Sequence, residues 1–134
     1  MDKNFNHYFN IYLKEREQLK ANLKPADYKY LSFQIWQEGI ARYTEYKFLT
    51  YLDGYTPSDE MKALPDYTPF PDLKNKLYKN ETGFLKQMSL SRDKRICFYT
   101  IGFSEALLLD KENEQWRQLY LTDKFFIEKY FRNR

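Results

Sequence analysis

Only 4 of the 134 residues are glycine, and this most narrows what the chain can fold into. Greek-key sandwiches, doubly wound nucleotide-binding units and phosphate-cradling loops all need glycine where the backbone turns at positive φ or lies close to a ligand. A mostly helical architecture remains, because helices ask for little beyond apolar periodicity and end caps. The length suits one domain with a real core and is too short for two. With 13 Tyr and 11 Phe, the apolar material is aromatic, so the mean hydropathy of -0.82 does not signal disorder.

The apolar periodicity predicts an all-α single domain of about five helices. Over Asn6 to Asn22, the residues Phe5, Tyr8, Phe9, Tyr12, Leu13 and Leu19 recur at helical spacing, with Lys14, Glu15, Arg16, Glu17 and Lys20 opposite them. Lys24-Pro25 stops that helix and starts a second, from about Ala26 to Leu52, closed by Asp53-Gly54. Four prolines between Pro57 and Pro71 predict an ordered loop over 55–71, with a turn at Ser58 to Leu64. A third helix is expected from Pro71 to Met88 with a break near Gly83, and a fourth, central one from Ser91 or Arg92 to Asp110. A last helix is expected from Glu112 to Phe131, with a break at Thr122-Asp123.

Several function classes are disfavoured. The apolar runs Ile96 to Phe103 and Ala106 to Leu109 are separated by Ser104 and Glu105 and fall short of a membrane span, so no membrane partner is expected. A net charge of +3 from 22 basic and 19 acidic residues is too evenly mixed for a nucleic-acid partner. Met1-Asp2-Lys3-Asn4 lacks the features of a secretory leader, which makes the cytoplasm the default location unless Met1 is internal to a longer protein. Cys97, between Ile96 and Phe98, reads as a small buried hydrophobe, and the lone His7 reads as a surface histidine.

Chemistry concentrates in the second helix. Leu31, Ile35, Glu38, Arg42, Glu45, Leu49 and Leu52 follow at steps of three or four, which places charges in the middle of an apolar seam. Buried there, Glu38 needs a cation or a pairing partner. At an exposed edge, Glu38 and Arg42 form an ordinary i,i+4 pair contributing about 0.3–0.5 kcal/mol. Glu105, among Ile101, Ala106, Leu108 and Leu109, reads equally as a buried carboxylate suited to proton transfer or a metal, or as a solvent-facing residue at the edge of the apolar face.

The segment Trp36-Gln37-Glu38-Gly39-Ile40-Ala41-Arg42-Tyr43-Thr44-Glu45 resembles the second zinc-binding helix of gluzincin-type metallopeptidases. The stretch Tyr99-Thr100-Ile101-Gly102-Phe103-Ser104-Glu105 resembles a tyrosine-glycine-glutamate segment of relatives of that group. This resemblance covers about residues 30–120 and implies the C-terminal helical lobe of a zinc hydrolase acting on peptides. It would make Glu38 a zinc ligand, Tyr99 a donor to a developing oxyanion, and Arg42, Glu45 and Glu105 supporting residues.

Such a zinc needs three protein ligands, and no His-Glu-x-x-His occurs here. No turnover is therefore expected from this chain alone. A missing N-terminal catalytic half or a self-dimer is the expected partner. The competing readings are a non-catalytic interaction or scaffold domain, in which Glu38, Arg42 and Glu45 form an ion-pair row, and a small-ligand binder using the aromatic cleft between the second and fourth helices.

Overall fold

Four long helical segments carry the fold in the computed structural model, which describes residues 3–131; Met1 and Asp2, on which the leader reading partly rests, lie outside this range. Helix α1 spans Lys3–Asn22 and docks through Phe9 and Arg16, both buried, with Phe5, Tyr12 and Leu13 half-buried beside them. His7 is exposed, as expected. Pro25 then opens α2 (Pro25–Gln34), because proline's fixed φ suits a first helical turn. A π turn (Ile35–Gly39) joins α2 to α3 (Ile40–Tyr51) without a break in the helical path.

The loop over 55–71 contains the single-turn α4 (Asp59–Lys62), whose first turn is capped by Ser58 Oγ accepting from the Met61 N–H at 3.2 Å. Helix α5 (Phe70–Leu85) begins at the loop's end and runs through Gly83 unbroken. A short α6 (Leu90–Asp93) is split from α7 (Ile96–Glu112) by Lys94 at φ 54, so the fourth helix begins later than the sequence suggested.

Helix α7 is central and packs against the π turn, α3, α5 and the C-terminal segment. It buries Cys97, Phe98, Thr100, Gly102, Phe103, Glu105, Ala106 and Leu109, which lie around most of its circumference rather than on one stripe. Its crossing with the π turn is a contact of two backbones. A Cβ on Gly39 would stand 2.3 Å from Gly102 Cα, and one on Gly102 would stand 2.5 Å from the Ile35 carbonyl oxygen. Only glycine fits at either position.

This crossing corrects the apolar seam read from the sequence. The wider π turn adds a residue to the local repeat. The buried line therefore runs Leu31, Ile35, Gly39, Ile40 and Tyr43, while Glu38 and Arg42 stand half-exposed at its edge and Glu45 is exposed.

The expected last helix also gives way to something else. After α7 the chain forms a single turn, α8 (Trp116–Leu119), then an irregular stretch and a 3-10 turn (Ile127–Phe131). Aromatic anchors outweigh helix propensity there. Trp36 stacks on Tyr120 at 4.7 Å, the Trp36 indole donates to the Tyr120 carbonyl, and the Tyr120 hydroxyl donates back to the Trp36 carbonyl, each at 3.1 Å.

Asp110 fastens this segment to α7 and α3. It accepts from Tyr43 at 2.8 Å, from the Trp116 indole at 3.0 Å and from Arg117. Among the described residues there is no strand, and no helix is long and apolar enough to cross a membrane.

Candidate functional site

The residues singled out around Glu38 do meet, with different partners from those expected. Glu38 sits on the π turn, and its carboxylate, then burial, raises the Tyr99 pKa. Arg42 turns away from Glu38. It pairs with Glu45 at 2.6 Å and with Glu81 of α5 at 3.1 Å, and its guanidinium lies 5.7 Å from the centre of the Tyr99 ring. Thr100 donates to the other oxygen of Glu81.

This corner therefore holds carboxylates that already have partners, with Arg42 and Arg95 both close enough to act electrostatically on Tyr99. Among the described residues no three His, Cys, Asp or Glu side chains gather as a metal-holding group. Glu38, with Tyr99 beside it, does not make a resident zinc site from this chain's described residues, since a dication needs several anionic or imidazole donors.

Glu105 lies on the opposite side, in a separate buried network. It is 1% exposed and accepts from the Tyr12 hydroxyl and from Arg16 Nε, the latter at 2.8 Å. Arg16 is 7% exposed and also faces Glu128, with Nη2 3.7 Å from a carboxylate oxygen that the Tyr28 hydroxyl leaves free when it donates to the other. Residues from α1, α2, α7 and the final 3-10 turn thus converge on one guanidinium.

Burial alone would lower the Arg16 pKa, but Glu105, the tyrosines and Glu128 reverse this and hold it above its ordinary value. Burial, followed by the neighbouring carboxylate, pushes Tyr12 well up and Tyr28 to about 12. Tyr130 is likewise raised to about 12, by burial first and then by Asp123.

These shifts have a readable consequence in base. A tyrosine whose pKa is raised on folding contributes stability that is complete below its unfolded value, about 10, and is lost as pH rises through the folded value. Stability should therefore fall between about pH 10 and 12. Tyrosinate absorbance should go on rising well above the free-tyrosine value as Tyr12, Tyr28 and Tyr130 ionise. A single stage at the free-tyrosine value would contradict this burial pattern.

An apolar groove opens beside the Arg16 network. It holds about 470 Å³ and is walled by Leu19 of α1, Leu23 just after it, Tyr30 and Leu31 of α2, Leu90 of α6 and Phe98 of α7. Asp27, Lys94 and Arg95 stand on its rim. Leu19, Tyr30 and Leu90 are 39%, 55% and 53% exposed, so three of the large exposed apolar side chains gather at this one opening. Lys94, at φ 54, is one of two non-glycine residues held at positive φ among the described residues, and local strain of this kind concentrates at functional sites.

A smaller cleft shares Leu19 and Leu31 with the groove as lining residues. The cleft, about 200 Å³, is lined by Tyr12, Glu15, Arg16, Ile35, Ile101 and Glu105.

Comparison with family models, curated proteins and solved structures finds no match to this chain.

The functional reading therefore rests on the residues themselves. Arg16 could have been found in the sequence, because Phe9, Tyr12 and Arg16 are spaced three and four apart and must share a face of α1. Glu128 and Glu81 gave no such signal. The first lies in a segment whose path is set by aromatic anchors, and the second belongs to α5 and enters its network only through the tertiary approach of α3 and α7.

Proposed function

We propose that this chain is a non-catalytic helical binding module whose groove between α1, α2 and the start of α7 takes a small amphipathic molecule. The groove carries this reading. Its volume lies within the ~300–1,000 Å³ typical of small-molecule sites, its walls are mostly apolar, and Asp27, Lys94 and Arg95 are its charged lining residues. It joins the interaction-domain and small-ligand alternatives drawn from the sequence, with the cleft bounded by α1 as well as by the second and fourth helical segments.

The test uses the neutral fluorescent probe N-phenyl-1-naphthylamine with the native chain and with Leu90→Glu. Leu90 is more than half exposed, so the charge should enter the groove without disturbing the core. The native chain should brighten the probe at micromolar concentration, and Leu90→Glu should weaken binding about tenfold or more at an unchanged melting temperature. No brightening by the native chain, or equal binding by the variant, would overturn the reading. A native dimer that binds no probe and becomes monomeric with Leu90→Glu would also overturn it, by assigning the groove to a second copy.

One observation favours a second reading. The resemblance to gluzincin-type hydrolases pairs Glu38 with Tyr99, and the Glu38 carboxylate is near enough to raise the Tyr99 pKa. In that reading the chain is the helical lobe of a peptidase, and the missing zinc ligands come from a separate catalytic half. Zinc content of the longest natural open reading frame decides between the readings: loss of zinc in Glu38→Gln supports the lobe, and equal zinc content in both forms, or none in either, rejects it.

A further inference from the structure

The rim of the groove carries more chemical information than its walls. Two of its charged lining residues, Lys94 and Arg95, are cationic and one, Asp27, is anionic; all three are exposed, so their charged ends are open to a molecule seated there. None of the three forms a salt bridge with another described residue. The neighbouring carboxylate, Asp93, does not line the groove and is already held by Arg92 Nε and by the Ser89 N–H, each at 2.8 Å. The rim therefore carries one positive charge in excess.

That sign selects the head of the ligand. Asp27 lies in the first turn of α2, where its charge complements the positive end of its own helix. The first turn of α7 has no acidic residue and no side-chain cap, so its positive end adds to the field of Lys94 and Arg95. These two cations adjoin at the junction of α6 and α7, and the groove's lining continues from them to Leu90 and Phe98, so a head at the cations leaves its tail on the apolar wall. An ammonium head would set its charge against both cations. A neutral head would leave the field at the rim unused. A carboxylate head is attracted by both and opposed by Asp27 alone.

We infer that the groove takes an anionic single-chain amphiphile, of which a fatty carboxylate is the simplest, with its head at Lys94 and Arg95 and its tail along Leu19, Leu31 and Phe98. This rests on the binding-module reading, and the two can fail separately.

Isothermal titration of the native chain at low ionic strength with octanoate, octanamide and octylamine tests the inference. These probes share a tail length and differ in the head. Octanoate should bind about fivefold more tightly than octanamide and about tenfold or more than octylamine, and its advantage should shrink as salt is added, because the charges at the rim are exposed. The double variant Lys94→Gln, Arg95→Gln should bring octanoate to within about twofold of octanamide, with octanamide binding as it does to the native chain. Asp27→Asn should act the other way and tighten octanoate about twofold, by removing the opposing charge.

Equal affinity for octanoate and octanamide, or preference for octylamine, overturns the anionic head and leaves the apolar groove standing. Binding of N-phenyl-1-naphthylamine with none of the three eight-carbon probes does the same. Failure of all four probes overturns the groove reading itself. The head-group order on the native chain is decisive even if the double variant folds poorly. A preference for octanoate that persists unchanged in a well-folded double variant rejects the role given to Lys94 and Arg95.

Discussion

Gly102→Ala should destabilise the protein by about 3 kcal/mol, seen as a fall in melting temperature of about 10 °C for a chain of this length. The added methyl would meet the Ile35 carbonyl oxygen at 2.5 Å and Gly39 Cα at 2.6 Å. Both are backbone atoms at the closest approach of two helices, and neither can move aside as a flexible side chain could. The usual gain of about 0.5–1 kcal/mol for replacing a helical glycine is overwhelmed there. Gly83→Ala is the control. Its Cβ would meet no atom within 4 Å, so in α5 the same change should stabilise by about 0.5 kcal/mol. Equal effects at the two glycines would show that α7 and the π turn do not touch.

Arg16→Met should cost about 3–5 kcal/mol in urea unfolding, because it strands two buried carboxylates that share this one guanidinium. The distinguishing result is the double variant. Adding Glu105→Gln to Arg16→Met removes one stranded charge, so the double variant should be at least about 1 kcal/mol more stable than the sum of the two single effects implies. Simple additivity, or an Arg16→Met variant within about 0.5 kcal/mol of the native chain, would place Arg16 in water.

These two expectations involve residues of unequal visibility in the sequence. The all-helical class and most helix positions follow from apolar spacing and from proline punctuation, because α1 and α5 are held by the same periodic faces that mark them out, and α7 by the apolar run that buries most of its circumference. The π turn is invisible to a reading at 3.6 residues per turn, and it alone moves Glu38 and Arg42 from the middle of the seam to its edge. Residues 113–131 carry a helical pattern of Trp116, Leu119, Tyr120, Ile127, Tyr130 and Phe131 and still fold otherwise. Hydrogen bonds from Asn113 to the Tyr130 carbonyl and from Tyr130 to the Asp123 carbonyl, with Phe125 at φ 78, define a path that no local propensity encodes.

The same contrast holds at the candidate sites. Glu105 was singled out by its apolar neighbours, and it is buried. Its partner Arg16 lies on a predicted helix face but between two glutamates, Glu15 and Glu17, where a basic residue reads as surface. Glu38 and Tyr99 were brought together by resemblance, and Glu38 does act on Tyr99, but the cations that also act on Tyr99 could not be read from either motif. Charge networks that join four elements are a property of the tertiary fold, and a linear pattern supplies at most one side of each.

An NMR titration of the uniformly labelled chain with N-phenyl-1-naphthylamine tests the binding-module reading most directly. Saturable shifts should centre on the backbone amides of Leu19, Leu31, Leu90 and Phe98, leaving Glu38, Arg42 and Tyr99 unmoved. Shifts centred instead on Glu38 and Tyr99, or no saturable shift at all, would contradict it.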